Sequence, residues 1–137
     1  MGLKCLIIDD DPLIGDLLKH FCAKSGLVDY SILSTTATDG LRLLAGGDIN
    51  LVFLDYNLPD MNGQNFLELK KSHLPVSMVT SDPAIAAIPL VAVTALADPG
   101  GRNACLKAGA NEHLYKPLRL NDLEETIKRL LPSHSHT

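Results

Sequence analysis

The chain alternates between short, wholly apolar runs and longer stretches in which apolar residues recur at helical spacing. Lys4–Ile8 (KCLII) has the length and continuity of a strand buried on both faces. Behind it, Ile14, Leu17, Leu18, Phe21 and Cys22 fall at i, i+3, i+4, i+7 and i+8, one stripe of a helix. Asp11 stands at the N-cap position, Pro12 at the first helical position, and Gly26 where that helix must stop. Residues 30–33 predict a weaker second strand, and residues 38–45 a short helix halted by Gly46 and Gly47. Residues 50–54 (NLVFL) repeat the buried-strand pattern, and a helix through Phe66, Leu67 and Leu69 is expected to run to about Ser72.

Two later stretches rhyme. Residues 74–81 read LPVSMVTS and residues 88–95 read IPLVAVTA, each an apolar run around a proline that ends in Thr and a small residue. Residues 99–108 predict a helix with Gly109 as its stop, and residues 112–115 a short strand before Lys116 and Pro117. The last helix is expected to start from Asn121 as N-cap, with Glu124 completing a capping box. Leu123, Ile127, Leu130 and Leu131 form its stripe, and Pro132 ends it. Strand–helix alternation of this kind predicts an α/β fold, a parallel sheet covered by helices on both faces.

Composition narrows the function. The chain is 46% hydrophobic and 20% charged, as expected of one ordinary globular domain, here residues 1–131 with a disordered tail at 132–137. Its net charge is −4 and its basic residues are scattered, so no direct nucleic-acid partner is expected. No segment reaches the roughly 18 unbroken apolar residues of a membrane span, and the N-terminus lacks a signal-peptide pattern. Cys5, Cys22 and Cys105 sit far apart in apolar contexts and read as buried thiols of a cytoplasmic protein.

In open parallel sheets, ligands bind beyond the carboxyl ends of the strands. Here Asp9 and Asp10 follow the first strand, Asp55 follows the third, and Lys116 follows the last. Carboxylates gathered at one sheet edge repel one another, which disfavours their ionised forms unless a cation lies among them. A hard divalent ion held by a few carboxylates, waters and a phosphate is the simplest remedy. His20, His73, His134 and His136 have no partners at metal-ligand spacing.

LIIDDDP, LVFLDYNLPDMNG, VAVTA and GANEHLYKPL, in that order, resemble the receiver domain of two-component response regulators over about residues 3–131. The resemblance implies a doubly wound, five-stranded flavodoxin-like (CheY-like) sheet; the extra length at residues 72–88 is then an extra strand or insertion, or a join of two receiver sequences near Ser81. It implies that Asp55 accepts a phosphoryl group from a histidine kinase or histidine phosphotransfer protein. Asp9, Asp10 and Asp55, with the backbone carbonyl of Asn57, would hold Mg²⁺, and Lys116 would pair with the phosphoryl oxygens. Pro117 matches the family's usual cis-proline. His113, three residues before Lys116, falls where receivers carry an aromatic switch residue, with packing filler as its other reading.

The family also places a Thr or Ser at the end of the fourth strand. Thr94 lies 22 residues before Lys116, the usual spacing, but 39 after Asp55; Thr80 lies 25 after Asp55 but 36 before Lys116. Thr94 is preferred, because only its strand leaves a helix correctly placed before residues 112–115. The implied role is a phospho-accepting switch that presents a binding surface to a downstream protein, and not an enzyme in its own right. The alternative is a pseudo-receiver, an interaction module that never takes phosphate. A phosphohydrolase of the haloacid dehalogenase type fits poorly, since Tyr56 and Asn57 follow Asp55 and the second acid of its D-x-D pair is missing.

Overall fold

A computed structural model describes residues 3–46, 48–56, 58, 60–61, 65–68, 87–95 and 101–131. In chain order the elements are β1 (Lys4–Ile8), α1 (Pro12–Ser25), β2 (Tyr30–Ser34), α2 (Ala37–Ala45) and β3 (Leu51–Asp55). They continue as β4 (Leu90–Ala95), α3 (Gly101–Ala108), β5 (Glu112–Lys116) and α4 (Leu120–Leu130), and residues 65–68 are helical. The five strands are parallel, in the order β2-β1-β3-β4-β5. The order reverses at β1, so the connections leaving β1 and β3 diverge and open a crevice between them.

The period of two along each strand divides the core. Leu6, Ile8, Val52, Leu54, Leu90 and Ala92 face one way, against Leu41 and Leu44 of α2, Phe66, Leu67 and Cys105 of α3. Cys5, Ile7, Leu51, Phe53, Val91 and Val93 face the other way, against Leu18 and Cys22 of α1 and Leu123 and Ile127 of α4. Each such fully buried large side chain stabilises the fold by about 1.5–3 kcal/mol. Gly40 lets α2 approach β1, since a Cβ there would lie 2.5 Å from Ile8 Cδ1.

Local signals placed most ends. Asp11 caps α1 by accepting the Leu13 N–H at 3.0 Å, and Gly26 closes it in the left-handed region at φ 74°. Gly109 ends α3 at φ 120°. The capping box expected at Asn121 is a correction. Helix α4 starts at Leu120, its N-cap is Arg119 without a side-chain bond, and Asn121 lies inside the first turn. Burial of Leu118 and Leu123 sets that start, and the Leu123 N–H already bonds the Arg119 carbonyl.

All three cysteines are buried thiols. Asn57, Thr80, most of the 72–88 segment and the 132–137 tail lie outside the described residues, as do the expected helix positions 69–72 and 99–100. Among the described residues, no helix is long and apolar enough to cross a membrane.

Candidate functional site

The carboxyl ends of β1, β3, β4 and β5 converge. Asp9, directly after β1, is 1% exposed; its Oδ1 accepts the Asp11 N–H at 2.9 Å. Its Oδ2 is buried and accepts no hydrogen bond among the described residues. Asp10 is exposed, and Asp55 is buried as the last residue of β3. One carboxylate oxygen from each of these three residues lies within 4.8 Å of the others.

Lys116 ends β5 and reaches across the sheet edge. Its Nζ is 3.5 Å from Asp9 Oδ2 and 3.5 Å from Asp55 Oδ2. The Lys116–Pro117 peptide bond is cis. Burial pushes the Asp9 carboxyl above its ordinary range and the Asp55 charge adds to this, while the Asp11 amide and Lys116 pull the other way. One cation between two buried acids therefore leaves the cluster short of positive charge. A hard divalent ion fits this donor set of carboxylate oxygens, one of them buried without a hydrogen bond.

The register pairs Asp55 with Val93, so Thr94 stands one residue beyond that level on the neighbouring strand. Thr94 is buried, and its Oγ1 lies 2.5 Å from His113 Nε2 on β5. His113 in turn meets the Tyr115 ring edge-on at 4.5 Å between centroids. The Thr94 strand is thus the one that pairs with both β3 and β5.

Two contacts of the β3 loop had no sequence signal. Burial pushes the Tyr56 hydroxyl up to about 12, with the Cys105 thiol of α3 beside it adding to the effect. Asp60 binds the start of α2. It accepts the Ala37 and Thr38 amides at 3.0 Å each and the Thr38 hydroxyl at 2.9 Å. Only the three-dimensional approach of the loop to α2 makes these bonds, 22 and 23 residues apart in sequence.

The family model for the response regulator receiver domain matches residues 5–128. The chain belongs to that family. This receiver is 34% identical over 137 residues to the transcriptional regulatory protein BasR of Escherichia coli K12, covering 98% of the chain and 54% of that protein. It is 29% identical over 130 residues to the hybrid signal transduction histidine kinase G of Dictyostelium discoideum, covering 95% of the chain and 4% of that protein. The chain thus spans about half or less of the length of these curated relatives. In fold it resembles the receiver domain of the sensor histidine kinase PA1611 of Pseudomonas aeruginosa PAO1, at TM-score 0.76 and 22% identity. That match covers 94% of this chain and 97% of the other, which was solved with a magnesium ion coordinated in its active-site cleft.

Proposed function

We propose that this receiver accepts a phosphoryl group on Asp55 from a phosphohistidine of a kinase or phosphotransfer protein, with Mg²⁺ as the ion among Asp9, Asp10 and Asp55. The observation that carries the reading is the position of Lys116 Nζ, 3.5 Å from both Asp9 and Asp55 at the edge of a three-carboxylate cluster. A cation aimed into an acidic crevice suits the spread negative charge of a phosphoryl group in flight. A magnesium-bearing receiver of the same fold supports the choice of ion.

Asp55 is the nucleophile: one carboxylate oxygen forms the new P–O bond as the donor's P–N bond breaks, and the freed imidazole takes up a proton. Lys116 pairs with a phosphoryl oxygen and holds it in line. Asp9, Asp10 and Asp55 would hold Mg²⁺, which would supply positive charge against the repulsion between the attacking and phosphoryl oxygens. By the family resemblance, the Asn57 carbonyl would be a further ligand. Thr94 offers its hydroxyl to the phosphoryl group, exchanging its bond to His113 for one at the site. That exchange biases the protein-binding surface that a downstream protein reads.

The chain acts in this scheme as the partner kinase's cytoplasmic substrate and loses its phosphate by its own slow hydrolysis. The test is incubation with acetyl phosphate and Mg²⁺ followed by intact-mass spectrometry. The wild type gains one phosphoryl group, and Asp55→Asn and metal-chelated samples gain none. Phosphorylation that persists in Asp55→Asn, or that ignores chelation, overturns the reading.

A further inference from the structure

The carboxylates of the site stand on two separate segments, Asp9 and Asp10 after β1 and Asp55 at the end of β3. Both segments are fastened to a third element that carries none of these acids, the start of α2. On the β1 side, the Asp9 N–H donates to the Ser34 carbonyl at 3.0 Å. Ser34 is itself buried; its hydroxyl donates to the Thr36 carbonyl at 2.9 Å and lies 3.3 Å from Asp39 Oδ2. Thr36 caps α2 from within, accepting the Asp39 N–H at 3.1 Å.

On the β3 side, Leu58 is sunk in the core and Asp60 turns back onto α2. Its Oδ1 takes the Ala37 N–H, and its Oδ2 takes both the amide and the hydroxyl of Thr38. These are amides that a helix start leaves without intrahelical partners. Thr36 satisfies one more amide locally, so the helix start is capped twice, once by its own chain and once by the β3 loop. A local cap fixes only the helix. A cap from a distant loop also fixes the loop, and here that loop leads directly away from Asp55.

We propose that the circuit from Asp9 through Ser34 and the α2 N-terminus to Asp60 is a clasp that sets the gap between the two acidic arms. Asp60 is then a positioning residue for cation binding at Asp9, Asp10 and Asp55, although it touches no ion. It acts this way only if the acidic cluster takes a divalent cation, the reading proposed above. Coupling of this kind is reciprocal: an ion that fixes the arms must also tighten the clasp.

The experiment is a Mg²⁺ titration of the full chain as wild type, Asp60→Ala and Asp60→Asn. Calorimetry reads the affinity, melting reads stability, and hydrogen exchange reads the Ala37 and Thr38 amides. Asp60→Ala should weaken Mg²⁺ binding about fivefold, the lower end of typical coupling between sites. Asp60→Asn, which keeps one acceptor oxygen, should fall between. In the wild type Mg²⁺ should slow exchange at Ala37 and Thr38, and that protection should be lost without the Asp60 carboxylate. A lower melting temperature with unchanged Mg²⁺ affinity makes Asp60 a helix cap and nothing more, which overturns the proposal. Should Asp60→Ala not fold, Asp60→Asn and the wild-type exchange arm decide on the same terms. A wild type that takes up no Mg²⁺ brings down the cation reading itself, an outcome distinct from failure of the clasp.

Discussion

Replacing Lys116 by Met keeps the shape of the side chain and deletes its charge. In the wild type Nζ sits 3.5 Å from an oxygen of each of two buried acids. At the effective dielectric suited to such sites, each attraction is about 5 kcal/mol before desolvation. The Asp9 and Asp55 oxygens, within 4.8 Å of each other, repel by about 3.5 kcal/mol or more on the same scale. Without the lysine that repulsion loses the cation that offsets most of it, but the loss has a ceiling, because one acid can escape by taking a proton. From an ordinary Asp value, that protonation costs about 4 kcal/mol at pH 7 and under about 2 kcal/mol at pH 5.

The sign follows from the variant's raised carboxyl. The folded state binds the proton more tightly than the unfolded state, so stability lost at neutral pH returns as pH falls through the folded pKa. Urea unfolding of wild type and Lys116→Met at pH 7 and pH 5, without metal, should show a deficit of about 2–4 kcal/mol that at least halves on acidification. Millimolar Mg²⁺ at pH 7 should restore much of it, and should bind the variant more tightly than the wild type because a competing cation is gone. A deficit equal at both pH values and indifferent to Mg²⁺ would refute the reasoning, and Lys116 would then matter only through its packing.

Asp9→Asn should raise the melting temperature of the metal-free protein at pH 7 while abolishing Mg²⁺ binding. The raised Asp9 carboxyl penalises the fold above its folded pKa, so the gain should vanish in acid, as melting curves from pH 7 to pH 4 will show. Thr94→Val removes a buried hydroxyl from His113; stability should fall by about 1–2 kcal/mol with Mg²⁺ affinity unchanged, checked by urea unfolding and calorimetry. Slight burial raises the Asp60 carboxyl, but its bonds from Ala37 and Thr38 outweigh that and hold it below the ordinary range. Its contribution is therefore present above the unfolded Asp value and lost as pH falls through the lowered folded one. The Ala37 and Thr38 amide shifts should move together over that acid range, and in Asp60→Asn they should not.

Much of the fold was legible because the signals are local. Buried strands are short apolar runs, and Asp11, Pro12 and Gly26 mark the bounds of α1 with residue types that suit few other positions. The sheet-edge site was legible for a related reason: Asp9, Asp10, Asp55 and Lys116 each end a strand or lie within two residues of its end, and parallel topology brings those ends together. The start of α4 differs from its sequence signal because a good capping residue, Asn121, lies inside a helix whose register is fixed by Leu118 and Leu123 in the core. Asp60 and Tyr56 escaped notice because their partners, Ala37, Thr38 and Cys105, are near only in space. Thr94 is legible because only its strand leaves room for a helix before β5, and it stands next to the end of β4, between β3 and β5.

The strand order has a consequence for the chain as it is made. The acids come first and their cation last: Lys116 lies 61 positions after Asp55. At ordinary synthesis rates that interval is about 3–12 seconds. Lys116 also occupies an edge strand that can join only after β4 is in place beside β3. Until Lys116 arrives, Asp9 and Asp55 lack the cation that faces them in the finished fold, and the divalent ion proposed for the site would be one that offsets their repulsion. On that proposal Mg²⁺ would serve this chain twice, first as a folding partner at the unfinished rim and later in the finished site.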